Sequence, residues 1–250
     1  MNVQVLNQMK KLFSVAVLLC GFNVQAAPMS GSGNHPASEF LSSSAMAAAG
    51  GRVLTLFTHP DFSQKLWAGT EQGGLWHSAD GGITWSLATE LMRGLTVSTV
   101  VADPVNADIM YVGTGDGRSR QASRRGVGMF RSADGGKSWT LLPLTQPATV
   151  GERWSHINHI AISTEGVVLA ATSDHSRNGF IFRSVDAGKS WGLFPVYAGS
   201  ETGPKNMIHK IRFDPANPNT ALFMDDYANV THSRDGGIIW SVAGKSSTCK

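Results

Sequence analysis

Two cysteines are all that this 250-residue chain contains, Cys20 and Cys249. A disulfide framework is excluded as the source of its stability, the more so because Cys20 lies in a segment that reads as removable. Charge is also sparse: Asp, Glu, Lys and Arg together make up 16% of the chain, with a formal net charge of +3. Loss of Lys10 and Lys11 would leave about +1, far from the dense basic face that nucleic acid or an anionic membrane demands. Neither is expected as a partner. Beyond the first residues no apolar run is long enough to span a bilayer, so no transmembrane segment is expected in the mature chain. No metal-ligand spacing or cofactor-binding motif stands out, and no metal or cofactor is expected. The histidines His156, His159 and His209 match no standard ligand pattern.

Glycine, by contrast, is plentiful at 28 residues, and there are 7 tryptophans. Together they point to a turn-rich β protein. The N-terminus has the layout of a secretory signal. Lys10 and Lys11 form a positive region, Leu12–Phe22 is a short apolar stretch, and Val24-Gln25-Ala26 offers small residues before Ala27. Residues 1–26 are read as the signal peptide, which sends the protein to the periplasm or the medium. Residues 27–50, rich in Ser, Ala and Gly, are read as a linker.

From residue 51 onward one motif recurs four times. Its copies are Ser78-Ala-Asp80-Gly-Gly82-Ile-Thr-Trp85, Ser132-Ala-Asp134-Gly-Gly136-Lys-Ser-Trp139, Ser184-Val-Asp186-Ala-Gly188-Lys-Ser-Trp191 and Ser233-Arg-Asp235-Gly-Gly237-Ile-Ile-Trp240. The first serines are 54, 52 and 49 residues apart. Each copy follows a short apolar strand, and its Trp opens another. Two further strands precede each copy, joined in the second and fourth units by Asp103-Pro-Val-Asn106 and Asp214-Pro-Ala-Asn-Pro218. Proline is excluded from central strands, so these segments read as turns. Four short strands in a repeat of about 50 residues are the mark of a β-propeller blade. The expected fold is all-β: four blades of four antiparallel strands, at about 51–92, 93–145, 146–197 and 198–250, possibly within a larger propeller.

The motif's chemistry is structural. The Asp carboxylate can accept backbone N–H bonds of its own loop. Glycine tolerates positive φ, and the Trp ring packs while its N–H caps a carbonyl. Asp80, Gly82, Trp85, Asp134, Gly136, Trp139, Asp186, Gly188, Trp191, Asp235, Gly237 and Trp240 are therefore assigned to the turns and not to catalysis.

These repeats resemble the Asp-box (BNR) propellers, a group that includes sialidases, sortilin-type receptors and the xyloglucanases of glycoside hydrolase family 74. Gly50-Gly51-Arg-Val-Leu-Thr-Leu-Phe-Thr-His59-Pro60 and Trp67-Ala-Gly-Thr70-Glu71-Gln-Gly73-Gly74 are most similar to the first xyloglucanase blade. The resemblance implies that Glu71 stands where that family has a catalytic aspartate.

In a four-strand blade the Asp-box and the Asp-Pro turns share one face, and binding falls to the loops of the other. Those loops supply Asp116, Asp174, Asp225 and Asp226 as candidate second carboxylates. Arg118, Arg153, Trp154, His175, Arg177 and Tyr227 are candidate ligand-binding residues, with Trp154 as a platform for a sugar ring. A polysaccharide or an extracellular protein is the expected partner. Two functions stay open: a secreted glycan- or protein-binding module, and a xyloglucanase-type glycoside hydrolase.

Overall fold

The computed structural model describes residues 51–118, 123–194 and 206–242. The signal and linker assigned above lie outside these residues. The described chain forms sixteen strands in four sheets, each antiparallel and each ordered as in the sequence. The first sheet holds β1 (Val53–Thr58), β2 (Leu66–Thr70), β3 (Leu75–Ser78) and β4 (Ser86–Leu87). The second holds β5 (Val97–Ala102), β6 (Met110–Thr114), β7 (Met129–Ser132) and β8 (Thr140–Leu141). The third holds β9 (His156–Ile162), β10 (Val168–Ser173), β11 (Gly179–Ser184) and β12 (Gly192–Phe194). The fourth holds β13 (Ile208–Asp214), β14 (Asn217–Asp225), β15 (Val230–Ser233) and β16 (Ser241–Val242).

Successive sheets pack face to face through their first strands, β1 on β5, β5 on β9 and β9 on β13. Each sheet thus packs on the next in the manner of propeller blades. Among the described residues β13 and β1 make no packing of comparable extent. Three apolar cores lie between the blades, and a smaller cluster of Ala68, Trp76 and Trp85 lies on the first blade alone. Phe57, Trp67 and Leu75 meet Val97, Val112 and Phe130. Tyr111 and Met129 meet Ile157, Ala170 and Phe182. Leu169, Ala171 and Ile181 meet Ile208, Ile211 and Phe223. Glycine sets the spacing at two of these seams. A Cβ on Gly69 would come within 2.5 Å of Val97 Cγ1, and one on Gly113 within 2.6 Å of Ile157 Cγ2.

The first strand of every blade carries a β-bulge at the same register. The ladder skips from Val53 to Thr55, Val97 to Thr99, Ile157 to His159 and Ile208 to Lys210. The bulged residues are Leu54, Ser98, Asn158 and His209, each beside the end of the strand where the rim loops begin. Bulges re-aim side chains in this way next to functional surfaces.

One sequence expectation needs correction. The turn after β13 is shorter than read, and Pro218 falls within the span of β14. A second register shift lies there, between Phe213 and Asp214. Pro218 occupies the unpaired stretch before Ala221, so no ladder hydrogen bond is lost.

The four Asp-box turns are near-identical clips. Ser78 Oγ donates to Asp80 Oδ1 at 2.7 Å and accepts from the Gly82 N–H at 2.9 Å. Asp80 in turn accepts from the Thr84 amide at 3.0 Å and hydroxyl at 2.6 Å. Trp85 Nε1 donates to the Gly82 carbonyl at 3.0 Å. The Trp-to-Gly bond recurs at 3.1 Å in the other three boxes. Gly82, Gly136, Gly188 and Gly237 have φ between 82° and 93°, which favours glycine. The hydroxyl and amide bonds from Thr84, Ser138 and Ser190 lower the pKa of Asp80, Asp134 and Asp186 to about 2.

Candidate functional site

The boxes close the β3–β4, β7–β8, β11–β12 and β15–β16 connections, which leaves the second-to-third-strand loops on the opposite face. In blades three and four these loops are built alike. Asp174 Oδ1 accepts from the Asn178 amide at 2.9 Å, and Asp174 Oδ2 accepts from Asn178 Nδ2 at 2.8 Å. Asp225 makes the same two bonds with Asn229, at 2.9 and 3.0 Å. It also accepts from Asn206 Nδ2 at 3.1 Å and from the Tyr227 amide at 2.9 Å. Burial alone would raise the Asp225 pKa, but the bonds from Asn229, Asn206 and Tyr227 outweigh it and lower the pKa. Sequence reasoning missed this second repeat. Its signal is the spacing Asp-x-x-x-Asn at the end of β10 and again at the end of β14. Two of the candidate carboxylates are thus committed to their own loops.

The other two candidates belong to a charged belt that crosses the blades. Asp116 is buried, bonded by Arg118 Nε at 2.9 Å and approached by Arg52 Nη2 at 3.9 Å. Arg177 reaches over from blade three. Its Nη1 donates to the Gly117 carbonyl at 2.6 Å and its Nη2 to Asp226 Oδ2 at 2.9 Å. The other oxygen of Asp226 bonds His209 Nε2. Arg177 itself has φ of 64°, the left-handed region that β10's tight loop imposes. Glu71 sits at the rim of blade one, its carboxylate partly exposed and 4.0 Å from Arg124 Nε. Among the described arginines of this segment, Arg118 bonds Asp116 and Arg125 bonds Glu152 at 2.5 Å, while Arg124 Nε approaches Glu71 without a hydrogen bond.

Glu152 collects further partners. His175 Nε2 lies 2.6 Å away and Ser155 Oγ donates at 2.6 Å. Ser155 chiefly, with Arg125 and His175, lowers its pKa. Beside it opens a groove of about 570 Å³ lined by Val150, Glu152, Arg153, Asp174, Asn178 and Phe180. Arg153 is exposed and lies 5.4 Å over the Phe180 ring. Tyr227 is 71% exposed at the rim of blade four. A second groove, of about 700 Å³, lies on the box face beside Tyr111, Arg131 and Asp186, away from these loops.

Trp154 departs from its expected role. It is 2% exposed, stacked on Phe182 at 4.3 Å and edge-on to Trp191 at 5.2 Å. Its ring belongs to the core between blades two and three and presents no face to a sugar. The three histidines do not converge. His156 Nε2 bonds Ser123 Oγ at 2.9 Å, His209 bonds Asp226, and His159 Nδ1 has no partner. Burial, with Arg212, Lys210 and Arg118 nearby, lowers the His159 pKa to about 3. Among the described residues no three His, Cys, Asp or Glu side chains are placed to hold a metal ion.

Four antiparallel four-stranded sheets, each clipped by an Asp-box, make up a propeller-like architecture. The BNR/Asp-box repeat model matches residues 76–87. A probable oligoxyloglucan-reducing end-specific xyloglucanase from Neosartorya fischeri is 32% identical over 92 residues, covering 35% of this chain and 10% of that protein. The glycoside hydrolase family 74 xyloglucanase of Xanthomonas campestris superposes with a TM-score of 0.57 at 18% identity, over 77% of this chain and 30% of its own. An auxiliary nutrient binding protein from Bacteroides thetaiotaomicron superposes with a TM-score of 0.52 at 16% identity, over 80% and 44%. The chain thus spans less than half the length of each. Among the described residues no helix is long and apolar enough to cross a membrane.

Proposed function

We propose that the chain is an exported Asp-box propeller module that binds a polysaccharide through its loop face. In this reading residues 1–26 direct export, residues 27–50 tether the blades, and the blades belong to a larger propeller. An extracellular protein is the other class of ligand that such a rim accommodates. The observation that carries the reading is the state of the carboxylates. Glycoside hydrolysis needs two of them about 5–9.5 Å apart, each free to exchange a proton or attack. Asp116 and Asp226 are held by arginines, and Asp174 and Asp225 by asparagines. Glu71 alone among the candidates is loosely held. Exposed Arg153 at the groove, with His175 and Tyr227 exposed on other rim loops, suits hydroxyl and ring contacts instead.

The second reading is a xyloglucanase-type hydrolase with Glu71 as one carboxylate. It is favoured by the likeness to xyloglucanases and by the place of Glu71 at the start of a rim loop. Hydrolysis of a β-glucan panel by the purified chain, with Glu71→Gln alongside, tests the two. Binding without turnover is the expected result. Turnover abolished by Glu71→Gln would overturn it.

A further inference from the structure

The seam between blades two and three holds a pair of side chains outside the carboxylate belt. Ser123 stands in the β6–β7 loop, and its Oγ lies 2.9 Å from Nε2 of His156, the first residue of β9. The serine is exposed, whereas the imidazole beside it is 1% exposed. Backbone bonds fix both. Arg124, the residue after Ser123, exchanges two backbone bonds with Asp116, at 2.8 and 3.0 Å. His156 sits opposite Ser173 in the β9–β10 ladder. Both blades of the seam lie within the described residues, so the pair is complete without any further blade.

The far side of the ring is held too. Ser173 Oγ stands 3.5 Å from His156 Nδ1 and accepts from Asn158 Nδ2 at 3.2 Å, and all three residues are buried. Gly117 backs the ring so closely that a Cβ there would lie 3.2 Å from His156 Cγ and 2.6 Å from Ser173 Oγ. Arg177 fixes that backbone through the Gly117 carbonyl. Burial, and after it His175, lowers the His156 pKa, which leaves the ring neutral near neutral pH. Backbone acceptors at Ser173 and Asp174 and the Asp116 charge act the other way and favour a proton on the ring. A neutral imidazole that meets a serine hydroxyl at one nitrogen and is oriented at the other is a general base beside its nucleophile.

The pair also neighbours the groove. The His175 ring packs edge-on to His156 with centroids 5.7 Å apart, and its Nε2 meets Glu152, which lines the groove. A polysaccharide in the groove would bring its substituents toward Ser123.

We propose that Ser123 and His156 form a nucleophile–base dyad that removes O-acetyl groups from the bound polysaccharide. The inference rests on the glycan-binding reading and adds a reaction to it. Ser123 Oγ attacks the acetyl carbonyl carbon and passes its proton to His156 Nε2. The ester C–O bond breaks, and the departing sugar oxygen takes that proton. Water then attacks the acetyl-serine and gives a proton to His156. The serine oxygen leaves, recovers that proton, and acetic acid is released. The glycosidic bonds stay intact.

Acetate release is measured from para-nitrophenyl acetate and from acetylated xyloglucan, and a fluorophosphonate probe is mapped by mass spectrometry. Calorimetry with deacetylated xyloglucan reads glycan binding separately. The proteins are the full chain, Ser123→Ala, His156→Gln and a control, Lys137→Gln, at an exposed box-face lysine. Thermal melts establish which variants fold; should His156→Gln fail, Ser123→Ala decides alone, because its hydroxyl is exposed. The expected result is acetate release from both esters and labelling at Ser123. Ser123→Ala should lose the label and slow release by about a hundredfold or more, the scale of a lost nucleophile or base, with the control unchanged. Release from the small ester alone, lost in Ser123→Ala, would uphold the dyad and overturn the polysaccharide as its substrate. Binding of deacetylated xyloglucan with no release from either ester would overturn the dyad and leave the glycan reading standing. Release unchanged in Ser123→Ala would also overturn the dyad.

Discussion

Gly113→Ala is the sharpest test of how the blades are spaced. Gly113 sits in β6 where blade two meets blade three. The added methyl would lie 2.6 Å from Ile157 Cγ2 and 2.7 Å from Thr99 Cγ2. Carbon atoms prefer about 3.5–4.0 Å, so the two first strands must part or their side chains leave their rotamers. Overpacking of this kind costs about 1–3 kcal/mol. Contacts short by about an ångström on two sides belong at the upper end, about 2–3 kcal/mol. For a chain of this size that lowers the melting temperature by about 4–12 °C. The protein contains its own control. Ala171 holds the equivalent register in β10, opposite His159 and Ile181, and is fully buried there. That seam is already spaced for a Cβ, so Ala171→Gly leaves a small void and costs about 1 kcal/mol. Circular dichroism melts of both variants read the difference. A Gly113→Ala protein melting within a degree or so of wild type would refute the argument that glycine sets the inter-blade distance.

Acid should loosen the boxes. The carboxyls of Asp80, Asp134 and Asp186 titrate near about 2 when folded, against an ordinary value of 3.8. A depressed carboxyl stabilises the fold above its unfolded pKa, and that contribution fades as pH falls from 3.8 toward about 2. Urea midpoints across that window should drop, and less so in Ser138→Ala, which lacks the hydroxyl that contributes most at Asp134. Trp154→Ala should destabilise by about 3–5 kcal/mol as a core deletion, while Trp154→Phe, if folded, should keep its affinity for any glycan; a selective affinity loss would reinstate the sugar platform. Arg177→Ala should cost about 1–3 kcal/mol by stranding Asp226 and the Gly117 carbonyl. Arg177→Lys should not rescue it, because one ammonium cannot replace a two-headed fork; equal melting of the two variants and wild type would show the belt to be inert.

The repeat was legible because its physics is local. Every box bond from Ser, Asp and Trp spans at most four residues, so spacing alone carries it. Strand order followed, since short turns force each blade to meander. The rim was legible only by region. Arg177 and Asp226 are 49 residues apart and Arg177 and Gly117 are 60, and no periodicity links them. Trp154 had the composition of a sugar platform, but its burial depends on Phe182 and Trp191, which arrive from later strands. Asn178 and Asn229 read in the sequence as ordinary turn residues; only their bonds to the aspartates four positions upstream mark them as clips.

The bulge shared by β1, β5, β9 and β13 has a consequence for how such a surface can change. One residue per inner strand stands outside the ladder, so its identity is not constrained by pairing. Here the four places hold an aliphatic chain, a hydroxyl, an amide and an imidazole: Leu54, Ser98, Asn158 and His209. Substitutions at these sites leave the strand alternation untouched, although Ser98 also bonds the Gly113 and Ile157 carbonyls and so ties two blades together. The architecture therefore separates what the ladder must repeat from what can be diversified, one place in each blade.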